Sequence, residues 1–387
     1  MPQYVQKLLS LNLPSARTTL LVSLGLLLTL SLLMIASASI PFALAKDLYP
    51  MRFFWSQLLY IGLGVVAAYV VYKLPLRIYC KFSNVLALWL GVAALLVLTA
   101  IFAVPINGSK RWLNIAGFSL QSAELAKMVM VMVAAEYVVR RSADMRGSLW
   151  GGWRLLLWYL PIVILLALQP DFGSTAVIVA TLLVIAFISG APLRDYAFIT
   201  TVVGVTMAVG MAFADYRRER LMSFWDPFDD IQDTDYQLSR SLIAFGRGEF
   251  SGVGYGDSVQ KLSHLPEAHT DFILAITGEE LGFIGVSFVL LLGALIVAAI
   301  MHISYVTLKR RQLRLSYMVF GFATVIFGQI FINAGMNMGI LPTKGLTLPF
   351  YSFGGSALLV NMMMIGFILK VDKESEGIDR MGLSRNF

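Results

Sequence analysis

DFILAITGEELGFIGVSFVLLLGALIVAAI, residues 271–300, opens on a carboxylate and then stays apolar apart from Glu279 and Glu280. At 1.5 Å per residue a helix of this length overshoots the roughly 30 Å of bilayer hydrocarbon. The stretch therefore reads as a membrane helix whose start rises above the lipid, with Asp271 at the boundary. An ionisable residue in such a place is a functional candidate by default. The polar approach Leu265-Pro266-Glu267-Ala268-His269-Thr270 leads straight to it, and Asp271 becomes the candidate catalytic residue.

The rest of the chain fits the same solvent. With 58% hydrophobic and 14% charged residues and a mean hydropathy of +0.76, it is too apolar for a soluble globule. Runs long enough to span lie near 18–40, 53–72, 84–104, 121–138, 153–168, 172–190, 195–213, 271–300, 315–340 and 350–369. The expected fold is thus all-α and integral to the membrane: a polytopic bundle of ten transmembrane helices, with a large extracytoplasmic loop, 214–270, between helices 7 and 8. It forms one domain over 1–387, with 1–17 and 371–387 as terminal segments.

Ten spans put both termini on one side. With the N-terminus inside, eighteen Lys and Arg fall on the inner side against five in the short outer loops, so both termini are expected in the cytoplasm. This loop charge accounts for most of the net +7, and no nucleic-acid partner is implied. Cys80 is alone, which excludes an internal disulfide and any Cys-based metal site. Ala36-Ser37-Ala38 imitates a signal-peptidase site, but the apolar run before it is long enough to be a retained first span.

Few carboxylates lie at membrane depth or its border: Glu124, Glu136, Asp171, Asp271, Glu279 and Glu280. Each costs insertion energy, about 2.5–3.5 kcal/mol for an Asp at mid-bilayer, and so needs a partner or a task. Glu124 and Lys127, three apart, share a helical face. Two readings stand for them: a neutralising ion pair, or, with Arg111 upstream, a cationic site for a phosphate headgroup in which Arg111 supplies a bidentate fork and Lys127 a point charge. Asp171, in the turn Gln169-Pro170-Asp171-Phe172-Gly173, reads as the N-cap of the sixth span or as a residue lining an outward cavity.

In the long loop, Asp226, Asp229, Asp230, Asp233 and Asp235 lack the spacing of a calcium-binding EF-hand loop. Tyr236 to Phe250 carries apolar residues at helical spacing and is expected as an amphipathic helix on the membrane surface. The run Gly246, Gly248, Gly252, Gly254, Gly256 lacks the Walker lysine and is expected to form a mobile lid. Beyond Asp271, Ala275, Gly278, Gly282 and Gly285 fall on its helical face, either for close helix packing or as a trench for a lipid chain. Toward the end, prolines and glycines between Asn333 and Ser356 break the helices, with Lys344 expected in the outer mouth beside Arg111.

Arg111-Trp112, Gln121 to Lys127, Gln169-Pro170-Asp171-Phe172-Gly173, Leu265 to Asp271 and Ser352-Phe353-Gly354-Gly355 together resemble the SEDS family of bacterial peptidoglycan glycosyltransferases. Leu341-Pro342-Thr343-Lys344-Gly345-Leu346-Thr347-Leu348-Pro349-Phe350 is more similar to its cell-division branch than to its elongation branch. The chain departs from the family pattern at Ser122, where Pro is usual, at Phe353 for Tyr, and at Ala357 for Ser. The resemblance implies polymerisation of lipid II at the outer face of the bacterial cytoplasmic membrane, at the division septum, with Asp271 as the essential catalytic residue. Arg111, Glu124, Lys127, Gln169, Asp171, His269, Lys344 and Ser352 are the implied substrate-binding set.

The resemblance also implies as partners membrane lipids, a class B penicillin-binding transpeptidase and the FtsQ, FtsL and FtsB division proteins. No metal site stands out, and a divalent cation, Mg or Mn, stays open as a helper. In the expected chemistry Asp271 takes the proton of an acceptor hydroxyl, while Arg111, Lys127 and Lys344 face the leaving pyrophosphate. A lipid II flippase and a non-catalytic division scaffold are the competing readings. The flippase reading is disfavoured by the lack of an inverted repeat and by the strongest polar motif lying at one face rather than at the midplane.

Overall fold

The computed structural model describes residues 14–105, 109–115, 118–147, 151–212, 228, 236–262, 264–343 and 345–380. In chain order these form α1 (Ala16–Ala45), α2 (Arg52–Lys73), the short α3 (Leu76–Cys80), α4 (Phe82–Phe102), a hairpin of β1 (Trp112–Ile115) and β2 (Phe118–Gln121), and α5 (Ser122–Arg140). The short α6 (Ser142–Gly147) precedes α7 (Gly151–Leu168), α8 (Phe172–Ile188), α9 (Leu193–Ala212), α10 (Tyr236–Gly248), α11 (Ile273–Lys309), α12 (Leu313–Asn337) and α13 (Gly355–Arg380). Each expected apolar run is a helix. Among the described residues, α1, α2, α4, α11, α12 and most of α13 are long and apolar enough to cross a membrane. Arg154–Leu168 of α7 and the whole of α8 are apolar but shorter.

α5 fails that test because it carries Glu124, Lys127, Glu136 and Arg140, yet it is the most enclosed helix. Its Ala and Met residues and all its Val residues but Val139 are buried, as a helix at the centre of a bundle requires. Its charges are neutralised in place. Lys127 Nζ lies 2.8 Å from Glu124 Oε1, and Arg314 of α12 lies 2.8 Å from Glu136. Close approach of α2 and α13 depends on Gly366, where a Cβ would stand 2.2 Å from the Ala68 carbonyl oxygen.

Helix α11 departs from the uninterrupted span expected of it. Gly282 has φ 66° and ψ −164°, which breaks the helix after Leu281. Irregular backbone at membrane depth is stable only where protein or water satisfies its polar groups. Here the glycine-rich loop does so. Phe283 and Ile284 donate to the carbonyls of Glu249 and Phe250 at 3.0 and 3.2 Å, and Val253 and Gly254 donate to those of Glu279 and Glu280 at 2.9 and 3.1 Å. The expected mobile lid is therefore a splint, docked by backbone hydrogen bonds into the broken helix. Gly252 (φ 82°) permits the contact, because a Cβ there would lie 2.2 Å from the Glu280 oxygen.

Of the two readings of the small-residue face below Asp271, close packing is the one seen at Gly278, and no lipid trench is open there. Phe245 of α10 fills the space over Gly278, and the Gly248 backbone packs on the Gly278 carbonyl. α10 exists where amphipathic periodicity placed it, but its buried side, including Leu238, Ser241 and Ala244, faces protein rather than lipid. Ser241 Oγ donates to the Asn337 carbonyl at 2.7 Å. The aspartates between 226 and 235 and Lys344 lie outside the described residues.

Candidate active site

Asp271 is presented by a tight turn at the entrance of α11. Glu267, with φ 56°, offers its carbonyl to the Thr270 and Phe272 N–H groups at 3.1 and 3.2 Å. On α12, Asn333 and Asn337 are one turn apart and both donate Nδ2 to the Asp271 carbonyl, at 2.9 and 3.0 Å. Asn333 also donates to the Leu346 carbonyl at 2.7 Å, so it ties the segment before α11 to the segment before α13. With its main chain clamped, Asp271 turns its carboxylate toward Gly345.

Arg111 reaches the same place from the other side. It immediately precedes β1, and the hairpin register sets Trp112 opposite Gln121. Arg111 donates Nε to the Gln169 carbonyl at 3.4 Å and Nη2 to that of Pro170, while Gln121 Nε2 donates to Asp171 Oδ2 at 3.1 Å. Asp171 caps α8 by accepting from Ser174 N at 3.2 Å, and Gln169 Nε2 donates to the Leu96 carbonyl at 2.8 Å. Hairpin, α4 and the α7–α8 turn are thus locked around Arg111, leaving Nη1 to face the site. A Cβ at Gly345 would lie 3.1 Å from Asp271 Oδ2 and 3.7 Å from Arg111 Nη1, so the carboxylate and the guanidinium converge on the one residue without a side chain.

Burial pushes the Asp271 carboxyl up to about 7, and the neighbouring Glu267 carboxylate adds to the rise. The Arg111 charge pulls it down, and Asp171 raises it slightly. The balance holds the group near neutrality rather than in the ordinary carboxylate range. Asp271 keeps part of its surface open.

The other expected site residues divide into two groups. Gln169 and Asp171 join Arg111 in one network, holding it rather than opening onto a cavity. Glu124 and Lys127 are 3% and 1% exposed and take up each other's charge, which matches the ion-pair reading and leaves Lys127 no open face. His269 is enclosed by Phe42, Phe53 and Phe353, with ring centroids 4.7, 4.8 and 5.8 Å away, and burial lowers its pKa to about 4. It is a neutral packing element whose carbonyl accepts from Phe353 N at 3.1 Å. Ser352 Oγ accepts from Leu348 N at 2.8 Å and closes the turn before α13.

Sequence reasoning missed Asn333, Asn337 and Glu267. Two asparagines four apart in an apolar helix are the signal the sequence offers. Among the described residues, no group of three or more His, Cys, Asp or Glu is placed to hold a metal ion.

Fold and site together define an integral membrane protein that gathers its candidate chemistry at one end of a helical bundle. The chain belongs to the FtsW, RodA and SpoVE family of cell cycle proteins, whose family model matches residues 17–377. A protein of Acinetobacter baylyi named probable peptidoglycan glycosyltransferase FtsW is 41% identical over 374 residues, covering 96% of this chain and 93% of that one. A Coxiella burnetii protein of the same name is 39% identical over 350 residues, covering 90% and 94%. Among solved structures, a chain from a peptidoglycan synthase complex described as coordinating polymerization and crosslinking matches with a TM-score of 0.75 at 26% identity, over 92% of this chain and 97% of that one. The rod shape determining protein RodA of Thermus thermophilus matches at 0.67 and 25%, over 92% and 96%.

Proposed function

We infer that this chain is a peptidoglycan glycosyltransferase that polymerises lipid II during septal cell-wall synthesis. The observation that carries the mechanism is the convergence of Asp271 and Arg111 on Gly345. In this reading ten spans place both termini in the cytoplasm, and loop 214–270 and the site stand at the outer face of the cytoplasmic membrane. The C4 hydroxyl of an acceptor sugar attacks the anomeric carbon of a lipid-pyrophosphate donor. Its proton passes to Asp271 as the new C–O bond forms and the bond to the pyrophosphate breaks. Arg111 faces the charge that gathers on the leaving group, joined by Lys344, the chain neighbour of Gly345. Lys127, enclosed with Glu124, is left out of that role.

A divalent cation, Mg or Mn, would be held by Asp271 among the described residues and would supply positive charge to the donor's phosphates, since Mg sites commonly pair one or two carboxylates with substrate phosphates. The partners are a class B transpeptidase, as in an assembly that both polymerises and crosslinks, and the FtsQ, FtsL and FtsB proteins.

The test is polymer formation by the purified chain with its transpeptidase partner and lipid II, followed between pH 5.5 and 8.5, with excess Mg or with EDTA. Only the ionised base accepts a proton, so the rate is expected to rise with pH through a midpoint at about 7. A rate that is flat or falls over this range sinks the assignment of Asp271, and full activity in EDTA removes the cation. Transbilayer movement of lipid II without polymer would favour a flippase instead.

Gly345 supplies an independent check. A Val at this position sets a branched side chain between carboxylate and guanidinium, and kcat is expected to fall by about 10- to 100-fold through misplacement alone. A native kcat in Gly345→Val would show that the reacting atoms meet elsewhere.

A further inference from the structure

The half-helix that follows Asp271 is a separate mechanical piece. It runs from Ile273 to Leu281 and ends where Gly282 leaves helical geometry, so the hydrogen-bond ladder of the rest of α11 does not hold it. Its last carbonyls accept from Val253 and Gly254 in the docked loop. Its last acidic side chains enter the same loop. Glu279, fully buried, accepts from Val259 N at 3.1 Å, from Gln260 N at 3.2 Å and from Ser258 Oγ, and pairs with Arg247 at 3.2 Å. Glu280 pairs with Lys261 at 2.7 Å and accepts from Ser37 Oγ of α1 at 2.6 Å.

These two carboxylates differ in what they fix. Glu280 meets side chains only, in an ion pair that joins α1, α11 and the loop. Glu279 grips main-chain N–H groups of two successive loop residues, and so sets where the loop backbone lies against the half-helix. At the other end, the half-helix is held by the asparagine clamp on the Asp271 carbonyl, and at its middle by a 2.7 Å hydrogen bond between Thr277 Oγ1 and Tyr351 Oη. A nine-residue helix, broken at one end and entered through a turn at the other, needs both anchors to keep one orientation.

We propose that Glu279 is a positioning residue for the glycosyl transfer, fixing through the loop the half-helix that aims Asp271 at Arg111. The proposal rests on the reading of Asp271 as the base. Loss of the Glu279 grip weakens the loop's hold on the half-helix, leaving it to the Val253 and Gly254 hydrogen bonds and the Glu280 pair, and displacement of a catalytic group by about 1 Å can cost about 100-fold in rate.

The experiment compares Glu279→Ala, Glu279→Gln, Ser258→Ala and Asp271→Asn in the full chain with its transpeptidase partner and lipid II. Polymerisation is followed across the same pH range, and the folded fraction is measured by thermal melting. For Glu279→Ala, kcat per folded molecule is expected to fall by about 10- to 100-fold with KM little changed. Its pH midpoint should also leave the native value, because the carboxylate has moved relative to Arg111 and Glu267. Glu279→Gln keeps one oxygen for the loop N–H groups and should recover much of the loss.

A rate loss that only tracks the unfolded fraction, with the midpoint unmoved, makes Glu279 a structural residue and overturns the proposal. Should the Ala variant fail to fold, Ser258→Ala, which removes one of the contacts of Glu279 with the loop, decides in the same way by its midpoint, moved or unmoved. A native rate from Asp271→Asn would remove the underlying base reading instead, an outcome seen without reference to the Glu279 variants.

Discussion

Replacing Asp271 with Asn is expected to lower polymer formation from lipid II by about 10²- to 10⁴-fold while leaving the protein folded, the range that a general base contributes. The fold should tolerate the change because the Asp271 contacts made with α12 use its main-chain carbonyl, which the variant keeps. The amide cannot take a proton from the acceptor hydroxyl, yet it fills the same volume beside Gly345. Stability should favour the variant at higher pH. A carboxyl whose folded pKa is raised to about 7 makes the native state less stable as pH climbs from the ordinary carboxylate range toward that value, and Asn removes the group. Gel analysis of glycan chains, paired with thermal melts at pH 6 and pH 8, checks both halves. Polymer at the native rate would leave Asp271 without a catalytic role.

The second large effect lies at the splint. Gly252→Val and Gly282→Ala each place a Cβ within 2.2–2.3 Å of facing backbone, at φ values of 82° and 66° that L side chains rarely adopt. The backbone strain alone costs about 1–3 kcal/mol, and undocking the loop also orphans hydrogen-bonding groups beside the membrane, at about 1–3 kcal/mol for each one buried. Either variant is therefore expected to melt far below the native protein. Gly246→Ala is the control, since no atom lies within 4 Å of its would-be Cβ and it should melt within a few degrees of native. Equal melting of Gly252→Val and Gly246→Ala would refute the docking of loop 249–254.

How much of this was legible in the sequence depends on the range of the interaction. The ten apolar runs were, because each is a local composition of sufficient length, and observed helices overlap them closely. The Glu124–Lys127 pair was too, since three-residue spacing on a helix puts its members side by side. The α11 break was not. Gly282 stands in a helix rich in small residues, where close packing explains it equally well, and the irregular turn is stable only because backbone from residues 249–254 arrives to satisfy it. The β-hairpin was missed because its strands are only four residues each, and without them nothing ties Arg111 to the 169–171 turn. The question of whether a basic neighbour meets Asp271 could be framed from sequence, but its answer needed the fold, since Arg111 and Asp271 are far apart in the chain.

The break at Gly282 also changes how the protein registers against its membrane. Residues 283–309 are about 40 Å long as a helix, which is enough to span hydrocarbon without the segment before them. Adjustment to a thinner or thicker bilayer, by tilt or by local deformation of lipid, can then fall on this lower segment. Asp271 takes its height from α12 and the docked loop instead, so tilt of this lower segment reaches it only through them.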